Sequence, residues 1–294
     1  IRKLDAYSNA LNSMRILLFF LAFSTLIGCQ SANNSSNEEP IVKTVEKYNL
    51  PDILEETSGL AMLNDTLWTL NDSGNEAALY AISTKGALLD KRDTSKTNID
   101  WEDMTIVNGN MLVADMGNNF GTRKNLHLLE IDLSNGGATT LDSIPFHYPE
   151  QDNFDFQQAT HFDAEGIVVV ENKIVVFTKN RSTLTSEVYV ISPSGGPATK
   201  MGSLAVGSLI TGADYHHESK TLALTGYRRD DNQYLYVIDN FSLSAIADAN
   251  ISQYDLDFNG AQIEAISIID AKTFWITSEE TKNYKAFLAK LTIE

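Results

Sequence analysis

The sequence has 294 residues, one cysteine, a hydrophobic fraction of 43% and a formal net charge of −17 at pH 7. That charge argues against nucleic acid or an anionic lipid surface as an electrostatic partner, because both need a cationic footprint. A single cysteine rules out an internal disulfide framework, so a hydrophobic core must hold the fold in any compartment.

In chain order, residues 1–13 precede Met14 and read as an extension of the gene model. Residues 14–28, MRILLFFLAFSTLIG, combine a positive Arg15, an apolar run and small Gly28 directly before Cys29. This is the pattern of a lipoprotein signal peptide ending in a lipobox. At about 12 residues the run is too short for a bilayer-spanning helix, which needs about 20. Cys29 is therefore the expected lipidation site, carrying palmitate and tying the protein to a membrane on the extracytoplasmic side of the cell envelope. Gln30, in place of an aspartate, favours the outer membrane. Residues 29–40 form a polar tether, QSANNSSNEEP after the cysteine, with nothing large enough to build a core. The folded domain is expected over residues 41–294.

That domain repeats itself. Five hairpins, GLAML/TLWTL, MTIV/NMLVAD, GIVVV/KIVVFT, GADYH/KTLALTGY and EAISII/KTFWITS, turn at Asn64-Asp65, Asn108-Gly109, Glu171-Asn172, Glu218-Ser219 and Asp270-Ala271. Apolar runs of this length predict strands buried on both faces. A third strand follows each hairpin, from Ala78, Asn125, Glu187, Gln233 and Lys285, and a fourth begins near Ala87, Thr140, Ala198 and Leu243. The last repeat has no room for a fourth, yet IVKTVEKYNL stands unpaired at the start of the domain. The expectation is an all-β fold: a β-propeller of four-stranded blades closed by an N-terminal strand. Five blades is the count, with six as the alternative if residues 134–161 hide a degenerate one.

In such a ring the first strands line a channel, and each hairpin sets the start of its first strand beside the end of its second. Equivalent starts carry Glu56 with Ser58, Asp100 with Glu102, Asp163 with Glu165, Thr211 with Asp214, and Gln262 with Glu264. The second-strand ends carry Asp72, Asp115 with Asn118 and Asn119, Lys179, Arg228 and Glu279. Residues two apart share a face of a strand, so each acid pair is expected to project together toward the axis. Asp72, Asp100, Glu102, Asp115, Asp163, Glu165 and Glu264 form a candidate cation site. Many hard oxygen donors without clustered histidine or cysteine suit Ca²⁺ or Mg²⁺, with Ca²⁺ the first choice. Glu56, Asn118, Asn119, Lys179, Asp214, Arg228 and Glu279 are candidate ligand contacts on the same rim. The bland alternative is that the acids cap loops and pair with Lys179 and Arg228. Trp68 and Trp275, at equivalent second-strand positions, are read as packing between blades, and Trp101 as pointing into a blade interface.

The ordered signatures ETSGLA, LNDSGN, DWEDM, ADMGNN, DAEGI, TGAD, IEAIS and ITSEE, from Glu56 to Glu280, resemble those of exported bacterial β-propeller lipoproteins. More distantly the chain is similar to phytase-like esterase and SdiA-regulated, TolB-like propellers. That resemblance implies calcium in or near the channel and a functional rim at Asp72, Asp100, Glu102, Asp115, Asp163, Glu165 and Glu264. The dense basic cluster that a phytase needs is missing from the sequence.

Two functions are open at this point. One is a binding module, expected as a monomer, whose cation-bearing rim presents a site for a small molecule, glycan or protein. The other is a metal-dependent hydrolase of esters, lactones or phosphoesters, with Glu102, Asp163, Glu165 or His161 as catalytic candidates.

Overall fold

The computed structural model describes residues 40–294, so the signal segment, Cys29 and the tether lie outside the described residues. Strand β1 (Val42–Asn49) comes first, and four blades follow in order. Blade 1 is β2 (Thr57–Leu63), β3 (Thr66–Asn71), β4 (Ala78–Ile82) and β5 (Leu88–Asp93). Blade 2 is β6 (Trp101–Val107), β7 (Asn110–Asp115), β8 (His127–Asp132) and β9 (Thr139–His147). Blade 3 is β10 (Ala164–Val170), β11 (Lys173–Thr178) and β12 (Ser186–Ile191), then β14 (Thr199–Leu204) at its edge. The short β13 (Gly196–Pro197) leaves blade 3 and pairs in parallel with β9 of blade 2. Blade 4 is β15 (Leu209–His216), β16 (Thr221–Tyr227), β17 (Gln233–Ile238) and β18 (Ser252–Leu256).

The fifth blade closes the ring. Its strands β19 (Gln262–Asp270), β20 (Thr273–Glu279) and β21 (Phe287–Ile293) take β1 as the fourth, antiparallel to β21. The protein is a five-bladed β-propeller with its inner strands β2, β6, β10, β15 and β19 neighbouring one another in a closed circuit. Residues 134–161 hold β9 and a loop, and no sixth blade. The fourth strand of blade 4 starts at Ser252 and not near Leu243, because a short 3₁₀ turn, Ile246–Asp248, comes first and buries Ile246. The last hairpin turns at Ala271-Lys272, one residue later than expected, and the fourth spans 217–220.

Three hairpin turns have both central residues at positive φ: Asn64 and Asp65 (50° and 60°), Asn108 and Gly109 (51° and 82°), Glu171 and Asn172 (51° and 59°). This left-handed pairing matches the twist of the flanking strands, and asparagine and glycine tolerate it best. The apolar runs are explained by position, since each blade packs on two neighbours. Five apolar clusters occupy the five interfaces; Trp68 meets Trp101 and Met104 between blades 1 and 2, and Trp275 meets Leu60 and Tyr80 between blades 5 and 1.

Two aspartates, Asp103 buried and Asp214 partly buried, add polar ties between adjacent inner strands. Asp103 accepts from the N–H groups of Met104 (2.8 Å) and Ile167 (2.9 Å), and Asp214 from those of Tyr215 (2.8 Å) and Ile268 (2.6 Å). Among the described residues no helix is long and apolar enough to cross a membrane.

Candidate metal centre at the channel mouth

Every inner strand breaks its register at the same level of the channel, and β19 does so a second time between Ile268 and Asp270. The irregularities fall between Ser58 and Leu60, Trp101 and Asp103, Ala164 and Gly166, Ile210 and Gly212, and Ile263 and Ala265. The extra residues are Gly59, Glu102, Glu165, Thr211 and Glu264. A bulge re-aims the side chain it inserts, so three of the five blades use it to send a glutamate toward the channel. Simple alternation pairs Asp100 with Glu102; the bulge is what sets their actual directions.

These glutamates line a cavity of about 190 Å³, with Ser58, Asp72, Asn119, Lys179, Arg181, Tyr227, Gln262 and Glu279 completing a wholly polar wall. Asp72, Asp100 and Glu102 each bring a carboxylate oxygen within 4.8 Å of the other two, and Glu102, Asp163 and Glu165 form a second such trio. The trios differ in how their charge is met. In the second, Asp163 is held by Arg181 and by the N–H of Asn118 (2.8 Å), and Glu165 lies 3.1 Å from the Lys179 ammonium. In the first, Asp72 accepts only its neighbour's N–H, from Ser73, and the Arg123 guanidinium stands 3.9 Å from Asp100.

Glu102 belongs to both trios. It is 4% exposed, and among the described residues its carboxylate has no hydrogen-bond donor and no ion pair. Its carboxylate borders the cavity, and holding a charge so far from bulk water with no donor on it is costly. Gly117 makes the arrangement possible: a Cβ there would overlap the carboxylates of Glu102 and Asp100. Its backbone N–H bonds the carbonyl of Asp100 (3.1 Å), which fixes this glycine against the acids.

Burial and mutual repulsion raise the pKa values throughout. Asp100 is pushed up to about 6, first by burial and then by Asp72. Glu264 reaches about 7 by burial, with Lys179 opposing the rise. Glu279 reaches about 10 through burial and the nearby Glu264, Asp72 and Glu56. Burial, then Glu165, Asp72, Asp100 and Asp163, drives Glu102 well above the carboxylate range. Burial works against the Lys179 ammonium, but Glu165 and Glu264 outweigh it and raise its pKa. The cavity is short of positive charge, and the donors on offer are hard oxygens, so the residues present fit a divalent cation.

Of the expected rim residues, the structure brings Asp72, Asp100, Glu102, Asp163, Glu165, Glu264, Glu279, Lys179 and Asn119 together around this cavity. Others are placed elsewhere. Asp115 is buried on Arg123 (2.6 Å) and the N–H of Asp100 (3.2 Å), so its oxygens serve the loop. Asn118 spends its side chain on the carbonyl of Phe162 and the N–H of Arg123. Glu56 is exposed and bonded by Asn75. Asp214 is one of the interstrand ties and does not reach the rim. Arg228 turns outward to Gly207, Tyr234 and Gln253, so it pairs with no acid of the channel. His161 is exposed, with Nδ1 3.0 Å from Asn180 Oδ1 and outside the cavity wall. The cation that reading by repeats passes over is Arg181, which bridges Asp163 and Asn119. It lies beyond the end of β11, where no repeat offset points to it.

No family model and no curated protein matches the chain. Solved structures do. A putative oxidoreductase (glucose dehydrogenase) from Thermus thermophilus superposes with a TM-score of 0.51 at 8% identity, over 87% of this chain and all (100%) of that one. The soluble aldose sugar dehydrogenase of Escherichia coli gives 0.49 at 9% identity, over 86% and 99% of the two chains. A luciferin-regenerating enzyme gives 0.46 at 9%, over 86% and 95%. What is shared is the propeller-like fold.

Proposed function

We propose that this chain is a cation-binding β-propeller of the cell envelope, in which Asp72, Asp100 and Glu102 hold one Ca²⁺ at the channel mouth. The rest of the cavity then presents a polar site to a small molecule, glycan or protein. The observation that carries this reading is Glu102: a buried carboxylate without a donor, seated against a glycine that leaves room for it beside Asp100. The second trio already has Lys179 and Arg181, so the cation is needed at the first. Chelated full-length protein titrated with Ca²⁺ and, separately, Mg²⁺ should bind one Ca²⁺ and gain in melting temperature. A melting temperature indifferent to both ions and to chelator would end the proposal.

The lipoprotein pattern at residues 14–29 supports attachment to a membrane through Cys29. Cys29→Ser should abolish acyl incorporation and release the protein from the membrane fraction; retention of both would overturn the anchor.

A hydrolytic role rests on a separate observation. Glu264, titrating at about 7, faces the same cavity as the trio, and a carboxyl poised near neutrality suits general acid–base catalysis. A bound cation would supply charge stabilisation to a carbonyl or phosphoryl oxygen. Glu165 and Glu264 are then the candidates to move a proton, since Asp163 is tied to Arg181 and His161 lies outside. Ester, lactone and phosphoester panels with Ca²⁺ test this: turnover lost in Glu264→Gln supports it, and absence of turnover on all three classes removes it.

A further inference from the structure

A second cavity lies away from the channel, on the outer strands of blade 2. It encloses about 670 Å³, within the few hundred to about 1,000 Å³ typical of small-molecule sites. Its framework is the loop 123–126 with His127 at the start of β8, then β9 and the segment from Tyr148 to Phe154, with Gly196 of β13 at the far side. Leu126, Phe146 and Tyr148 supply a buried apolar floor continuous with the core between blades 2 and 3. Phe154 adds an aromatic face, and the Lys124 ammonium lies 4.6 Å above its ring.

The charge of this lining is opposite to that of the molecule. Arg123, Lys124, His127 and His147 border the cavity and no aspartate or glutamate does, in a chain of net charge −17. Arg123 is neutralised by Asp115, but Lys124 has no carboxylate partner among the described residues. An apolar, aromatic floor beneath an uncompensated ammonium is complementary to one kind of ligand: a flat apolar body carrying a single negative group. Gly196 leaves its side of the cavity open, since a Cβ there would meet nothing within 4 Å.

We infer that this cavity is a second binding site, specific for small organic anions with a flat apolar or aromatic body, such as aromatic carboxylates or sulfonates. The anionic group sits at Lys124 and the ring lies over Phe146 and Phe154. The site shares no lining residue with the channel cavity, and Arg123, on its border, stands 3.9 Å from Asp100 of the first trio.

The test uses 1-anilinonaphthalene-8-sulfonate as probe on the full chain. Saturable one-to-one binding with enhanced emission is expected, under conditions where near-ultraviolet circular dichroism shows native packing. Lys124→Glu should weaken binding at least tenfold, and Ser143→Trp, a change on the exposed outer strand that fills the cavity, should abolish it without altering the melting temperature. The uncharged N-phenyl-1-naphthylamine carries the same ring system and should bind at least tenfold more weakly. Unsaturable emission, or binding that survives both substitutions, would overturn the site. Equal affinity for the charged and uncharged probes would overturn its anion specificity.

Discussion

Gly117 and Glu102 form a matched pair, and each tests the other. Gly117→Ala sets a methyl group against two carboxylates, so cation binding should be lost in calorimetric titration while the far-ultraviolet spectrum stays that of the native sheet. Glu102→Gln removes the shared ligand and should reduce Ca²⁺ affinity more than tenfold. It should also change the response to pH, whose sign follows from the raised pKa values. The folded state holds protons on Asp100 up to about pH 6 and on Glu264 up to about pH 7, whereas the unfolded chain releases them near 4. In cation-free protein the stability contributed by these two carboxyls is therefore fully present below about pH 4 and is lost as pH rises through about 7. A cation binds the deprotonated acids, so its stabilisation should grow through the same window, with protons released on binding. Melting curves with and without chelator between pH 4 and 8 check both slopes, and Glu102→Gln should flatten the fall. The acids themselves were legible in the sequence as equivalent offsets in successive repeats. Of their counter-charge only Lys179 was legible in the same way; Arg181 and Arg123 were not, because they stand in loops whose length differs from blade to blade.

At the scale of strands, the bulge governs the site. Each inner strand was recognisable from its apolar run, but an inserted residue shifts all side chains after it to the opposite face. Periodicity therefore located the channel strands correctly and still misplaced Asp214, read as a rim residue. Its position three residues past the blade 4 bulge puts it inside, on the N–H groups of Tyr215 and Ile268. Asp214→Asn replaces one acceptor with a donor facing an N–H, at a cost of about 1–3 kcal/mol in urea unfolding. Burial raises the Asp214 pKa to about 6, so the wild-type contribution declines between about pH 4 and 6, and that part of the slope should vanish in the variant. Three fourth strands begin within one residue of where the sequence put them, at Leu88, Thr139 and Thr199, although β5 and β14 are mostly exposed edges with little apolar signal; only that of blade 4 was misplaced, behind the 3₁₀ turn that buries Ile246.

For the molecule as a whole, closure is the decisive element. The unpaired strand at the start and the missing strand at the end were both visible in the sequence, and together they implied the ring. β1 contributes few core side chains; its role is to cover β21, which is almost entirely buried. Lys47 strengthens the seam by lying 4.4 Å from the ring of Phe287 and 4.7 Å from that of Tyr284. Deleting residues 42–49 should leave an apolar strand edge uncovered. Size-exclusion chromatography is expected to show aggregates in place of a single species.

The seam also sets a timetable for folding. Ile41 and Glu294 exchange backbone hydrogen bonds, and Lys43 pairs with Glu294 across 251 positions of sequence. Blades 1 to 4 can form from local hairpins as the chain emerges, but the fifth must wait until its last strand exists to receive the first. Until then the earliest strand of the domain is the one with nowhere to go. A nascent chain stalled short of Phe287 would thus lose both ends of the structure at once.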